Sequence, residues 1–257
     1  MDSKEKYIAL RAILDKEVTR VLRIWQQTLL PSAITMTLYF LIFGAFIGSR
    51  IEDMQGVSYI QFIIPGLVMM AVITNAYSNV SSSFFGAKFQ RSIEELMVSP
   101  TPNYIIVLGY VLGGMIRGLL VGIIVLAISL FFTKVSLYNA FIVAAFIILA
   151  AFVFSLAGFL NGIYARNFDD VAIVPTFVLT PLTYLGGIFY SISLLPEFWR
   201  GISLLNPILY MVNGFRYGFL GISDINIWIG FWLLVALSII LFWACLHLVS
   251  KGTGLKT

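Results

Sequence analysis

The side chains able to do chemistry are few in this chain and lie far apart. Arg117 is the only charge between Glu95 and Lys134. A charge deep in an apolar span costs at least ~2.5–3.5 kcal/mol on insertion scales, so it must face protein or water. Two readings stand for it: a gate or cargo contact, and a structural arginine bonded to backbone carbonyls or a neighbouring helix. Upstream, Thr74, Asn75, Ser78, Asn79 and Ser82 form a polar stripe, with Asn75 and Asn79 one helical turn apart. These groups either line a conduit or bond across helices for ~0.6 kcal/mol each. Downstream, Pro175 and Pro181 free carbonyls and kink a helix. Thr176, Thr180 and Thr183 can bond those carbonyls, and Tyr184 follows them. A kinked, polar-faced helix suits a conduit seam that opens and shuts; the alternative is a bent packing helix.

Charge of both signs gathers in FFGAKFQRSIEELMVSP, residues 84–100. Phe85, Phe89, Ile93, Leu96 and Met97 make an apolar stripe at helical spacing, with Lys88, Arg91, Glu94 and Glu95 on the other faces. Arg91 and Glu95 are spaced as an i,i+4 ion pair. The run Ser99 to Pro102 stops the helix. This predicts a short helix that is either a docking surface for a soluble partner or a solvated loop helix. Other chemistry is excluded by count. A single cysteine, Cys245, rules out an internal disulfide or multi-cysteine metal cluster, and a single histidine, His247, rules out most histidine-based sites. No G-x-S-x-G elbow occurs. The tail KGTGLKT echoes a phosphate loop only faintly, because its glycine number and Gly-Lys-Thr order are wrong and it follows an apolar run rather than a strand.

A membrane-embedded fold must position these residues. Of the 257 residues, 60% are hydrophobic and 11% charged, with a mean hydropathy of +0.97. Soluble domains run near ~45–50% and ~25%, so a soluble globule, a disordered chain and a coiled coil are excluded. A hydrocarbon core ~30 Å thick needs ~20 helical residues. The runs between charges predict an all-α polytopic protein with six transmembrane helices, about 29–49, 61–85, 104–132, 138–165, 171–190 and 226–249. Barrel strands would alternate, and these runs do not. An even count puts both termini on one side. Eleven basic residues fall there, against four on the other side (Arg50, Lys134, Arg200 and Arg216), so both ends are expected in the cytoplasm. The net charge of +4 is thus a topology signal, not a sign of nucleic-acid binding. No cleavable signal peptide is expected, because the first 23 residues are charged throughout.

Three further features qualify the spans. Gly114, Gly118 and Gly122 share one face at four-residue spacing, which lets another helix approach closely. The N-terminal 28 residues are amphipathic, with Leu10, Leu14, Val18, Val21, Leu22 and Trp25 on one stripe, and are expected to lie in the membrane interface or as a plain cytosolic helix. Residues 191–225 are too apolar for an exposed loop, and Pro196 and Pro207 split them into short helices near 195–205 and 208–220. With Trp199 and Arg216, these read as a re-entrant hairpin on the outer side or as an amphipathic cap.

The chain resembles the ABC-2 type transporter permeases over essentially its whole length. The segment 84–100, with its "IEEL…SP" ending, looks like that family's cytoplasmic coupling helix, and residues 1–28 look like its connecting helix. PTFVLTPLTYLGGIFY (175–190) followed by LLPEFWRGISLLNPILYMVNGFRYGFLG (194–221) is similar to its fifth span and outer re-entrant helices, with Leu194-Leu195-Pro196 and Leu205-Asn206-Pro207 as recurring elements. The resemblance implies a transmembrane domain over 29–257 and an exporter built of two permease copies and two separate ATPase subunits. It implies that ATP and Mg are held by those ATPases, that this chain binds no cofactor, and that it lies among lipids in a bacterial cytoplasmic (inner) membrane. It places ATPase coupling on Phe89, Arg91, Ile93, Glu94, Glu95 and Met97. A secondary transporter is the alternative of another class; it calls for intramembrane Asp, Glu or His, and none is evident. A small channel or membrane scaffold is the third.

Overall fold

The computed structural model describes residues 1–51, 53–252 and 254. Lys256 and most of the tail after Gly252 lie outside the described residues. Among these residues there is no β-strand, only an isolated bridge between Met54 and Val57. The chain begins with α1 (Ser3–Arg23), α2 (Trp25–Thr28) and α3 (Leu30–Tyr39), which runs on as a π-helix over Phe40–Ile47. Then come α4 (Tyr59–Phe89), α5 (Ser92–Val98), α6 (Asn103–Ser129) and α7 (Ala140–Tyr164). A broken segment follows: α8 (Phe168–Val174), a π-helical turn over Pro175–Leu179, and α9 (Thr180–Tyr184). The chain ends with α10 (Glu197–Leu204), α11 (Pro207–Leu220) and α12 (Ile227–Lys251).

Among the described residues, five stretches are long and apolar enough to cross a bilayer: Trp25–Gly44, α4, α6, α7 and α12. The expected fifth span, 171–190, falls short of that length. Its helical run, Phe168–Tyr184, covers 17 residues, or ~26 Å at ~1.5 Å each. It ends early because the chain turns at Gly186 and Gly187, the latter with φ +68°, a conformation that glycine adopts without strain.

Helix α4 is the axis of the bundle. It is buried nearly all round, and Phe62, Leu67, Val72 and Val80 have no exposure. Along α6, Gly114, Gly118 and Gly122 meet Val80, Ala76 and Val72 in turn, so the two helices run antiparallel. A Cβ on Gly114 would come within 2.3 Å of Val80 Cγ2, which is why this expected close-approach face carries no side chains. Helices α7 and α12 run side by side in one direction, since Phe146 meets Phe231 and Phe152 meets Phe242. Both therefore start at the end of the bundle away from α5. The chain between Tyr164 and Ile227 has to return from the α5 end to the other.

Candidate functional site

The turn into α5 decides what that helix presents. Gln90 closes α4, and Arg91 adopts a left-handed backbone with φ 61°. The expected stripe is broken there. Phe89 stays on α4, exposed, with its ring 5.2 Å from that of Phe168. Ile93 on α5 is buried in a cluster with Phe84, Tyr110 and Phe159, and Met97 packs at its edge. Arg91, Glu94 and Glu95 are exposed. The expected Arg91–Glu95 pair is not formed: the ion pairs among the described residues are Arg11–Asp15 and Glu17–Arg20. Arg91 caps the helix from outside its first turn, so the i,i+4 geometry is lost.

Through Ile93 this short helix packs on α4, α6 and α7, and the chain at both its ends is held. Lys88, one turn before it, donates from Nζ to the carbonyls of Ile163 and Ala165 at 2.7 and 2.8 Å. It thereby caps the C-terminal end of α7, where a cation is favoured. At the far end Ser99 Oγ donates to the Leu96 carbonyl at 2.6 Å, and Pro102 starts α6.

A second arrangement lies deeper. The buried face of α1 is Ile13, Glu17 and Val21; of the expected stripe Val21 is buried, Leu10, Leu14 and Val18 are half-buried, and Leu22 and Trp25 are exposed. The cause is on α6, where Gly109 and Gly113 leave room for Ile13 and Glu17 at under 3 Å from where a Cβ would stand. So α1 lies beside the first half of α6 rather than in the interface alone. Glu17, with no exposure, accepts from Ser83 Oγ at 2.6 Å and from Arg20 Nη2 at 3.1 Å. Arg20 also donates to Asn79 Oδ1 at 2.8 Å and to the Asn79 carbonyl at 3.2 Å. One turn away, Asn75 bonds Ser32 at 3.0 Å and accepts from Arg117 Nη2 at 3.2 Å. Arg117 donates to the Thr28 carbonyl as well, at 3.2 Å. Arg117 is thus not the only charge at depth: Arg20 pairs with Glu17, and one turn along α4 Arg117 is held by Asn75 and the Thr28 carbonyl.

The expected conduit residues divide into two groups. Asn75, Asn79 and Arg117 belong to this network. Thr176, Thr180, Thr183 and Tyr184 lie on the broken segment, where Thr180 Oγ1 donates to the Pro175 carbonyl at 2.9 Å and Thr183 Oγ1 to the Thr180 carbonyl at 2.7 Å. Thr176, Thr180 and Tyr184 are exposed and Thr183 is buried. Tyr184 meets Tyr39 hydroxyl to hydroxyl at 3.0 Å.

Toward the other end, Pro196 precedes α10 and Pro207 opens α11, close to the expected breaks, with Trp199 half-exposed. Arg216, read as part of the outer hairpin and counted with the basic residues of the outer side, is almost wholly buried. Its guanidinium lies 3.8 Å over the Phe62 ring and donates to the carbonyls of Phe62 and Gly187 at 3.3 and 2.6 Å. It bolts α11 to α4 and to the turn after α9. Asp224 plays a similar part, accepting from Gln55 Nε2 and Ser191 Oγ, both at 2.5 Å. Sequence reasoning missed Glu17, Arg20, Ser83, Lys88 and Asp224. For Glu17 a signal exists: it stands four residues from both Ile13 and Val21, a carboxylate within an apolar stripe.

The sequence matches the ABC-2 type transporter family over residues 8–220. It is 59% identical over 251 residues to the inner membrane transport permease YadH of Escherichia coli (strain K12), covering 98% of each chain. It is 26% identical over 188 residues to nodulation protein J of Rhizobium meliloti (strain 1021), covering 72% of this chain and 71% of that protein.

Proposed function

Because the chain belongs to the ABC-2 type transporter family, we propose that it is the permease subunit of an ATP-driven exporter in the bacterial inner membrane. Two copies form the translocation pathway, and two copies of a separate ATPase subunit, holding ATP and Mg, drive it. The observation that carries this reading is α5. Its buried Ile93, packed among side chains of α4, α6 and α7, makes it a lever on the bundle, while Arg91, Glu94 and Glu95 face outward. A lever of that kind needs something outside the membrane to push it.

Six crossings are favoured by the strand of chain between α7 and α12. It must travel from one end of the bundle to the other, and Phe168–Tyr184 is its only helical run of near-spanning length among the described residues. The hairpin of α10 and α11 then dips back from the outer side. Both chain ends lie in the cytoplasm, with α5. A reporter fused after Thr257 is expected to be active only in the cytoplasm, and one inserted at Asp53 only outside. The opposite pattern removes the coupling role of α5.

The seam between the two copies runs along the broken segment. Thr176, Phe177, Val178, Thr180 and Tyr184 are exposed within a stretch at membrane depth, and polar groups there require protein or water beside them. With Cys245 replaced, single cysteines at Thr176, Thr180 and Tyr184 are expected to crosslink between copies in the assembled complex with the ATPase. Failure of all three while other lipid-facing positions crosslink places the seam elsewhere.

A further inference from the structure

We propose that the chain carries a specific site for an anionic phospholipid, at the end of the bundle away from α5, between the last turn of α6 and the first turns of α7. An open groove of about 340 Å³ lies there, within the size range of ligand sites. Leu126 and Leu130 form one wall, Ala140, Val143 and Ala144 the other, and Phe219 closes the floor. The small side chains of Ala140 and Ala144 make the depth. No polar side chain lines it, and both walls belong to helices apolar and long enough to span, so its surroundings are acyl chains.

Apolar shape alone names no ligand; the mouth does. Val135 and Phe219 also line an adjoining hollow whose other residues include Gln61, Lys134 and Ser136. The loop that carries Lys134 and Ser136 is fixed: Gln61 Nε2 donates to the Lys134 carbonyl at 3.3 Å, and Tyr138 N and Asn139 N donate to the end of α11 at 3.1 and 2.8 Å. Lys134 is exposed, and among the described residues it has no carboxylate partner. Ser136 Oγ donates to the Phe219 carbonyl at 3.3 Å and so helps hold the loop. An unpaired lysine on a fixed loop at the open end of an acyl-sized groove matches a phosphate headgroup with a chain beneath it. The lysine's charge attracts an anionic headgroup over a zwitterionic one, which selects headgroup, while the groove holds the chain.

The test uses the chain purified in mild detergent and returned to nanodiscs of phosphatidylglycerol and phosphatidylcholine, with retained lipid read by native mass spectrometry. The wild type is expected to keep phosphatidylglycerol in preference. Ala144→Trp fills the groove and is expected to lower retention of both lipids roughly tenfold, the equivalent of about 1.4 kcal/mol. Lys134→Glu, on an exposed position with little bearing on folding, is expected to abolish the preference while phosphatidylcholine is still retained. Ile240→Trp, on the exposed face of α12, serves as a control and changes neither. The proposal is overturned if Ala144→Trp holds as much lipid as the wild type, or if Lys134→Glu keeps the preference. It is equally overturned if Ala144→Trp alters only the number of copies in the complex, which would make the groove a contact between chains.

Discussion

Replacing Glu17 by leucine is expected to free α1 from the bundle. The carboxylate has no exposure and accepts from both Ser83 and Arg20. Without it, Arg20 keeps only the Asn79 oxygens as partners and has no anion beside it. Removing one member of a buried ion pair costs about 3–5 kcal/mol, because the other charge is stranded. The Arg20 side chain is 30% exposed, so water screens part of this and the lower end, about 3 kcal/mol, applies. At about 1.4 kcal/mol per tenfold, the undocked form of α1 gains roughly a hundredfold. Trypsin cleavage within residues 11–23 should quicken by that factor when cleavage samples the open form. Two controls separate charge from shape. Asp15→Ala removes the pair with Arg11, whose side chains are 67% and 66% exposed, and should change the rate less than about fivefold, as expected of a surface pair. The double variant Glu17→Leu with Arg20→Leu should recover part of the loss, since no charge is left stranded. If Glu17→Leu alone leaves cleavage unchanged, the network does not hold α1.

That network also marks where the sequence stops being readable. The long helices follow from uncharged runs, because a bilayer core fixes both their length and their apolar content. The breaks at Pro196 and Pro207 follow from the missing N–H of proline. The glycine face of α6 follows from its four-residue spacing, although only the structure shows that α4 takes one side of it and α1 another. The face of α1 was not legible, since counting apolar residues excludes Glu17, and its burial is stable only with Ser83 and Arg20 in place. Arg216 misled for the same reason: a guanidinium can be buried against carbonyls and a ring, and those partners lie more than twenty residues away in sequence. The extent of the break in the fifth expected span depends on a π-helical turn at Pro175, which composition does not encode.

Charge reversal on α5, by Arg91→Glu together with Glu95→Lys, is expected to separate the permease from its ATPase. Both residues are exposed, so the bundle itself loses nothing beyond a few tenths of a kcal/mol, about the weight of surface charges. At an interface the same charges meet opposite ones, and truncating one partner of a buried, hydrogen-bonded pair costs about 2–5 kcal/mol. Even the lower figure weakens binding by roughly thirtyfold. The ATPase should therefore fall away during purification, and ATP turnover linked to export should be lost, while the amount of permease in the membrane stays the same. Backbone geometry needs its own control, because Arg91 holds a left-handed conformation with φ 61°. Arg91→Gly relieves that conformation and removes the charge, so it should leave α5 in place yet still weaken ATPase binding. Lys88→Met tests the lever itself: it removes the cap on α7 without touching the exposed face, so the ATPase should stay bound while its turnover no longer responds to cargo. If the doubly reversed protein binds its ATPase and turns over ATP normally, Arg91 and Glu95 are only a solvated face, and the push must enter the permease elsewhere.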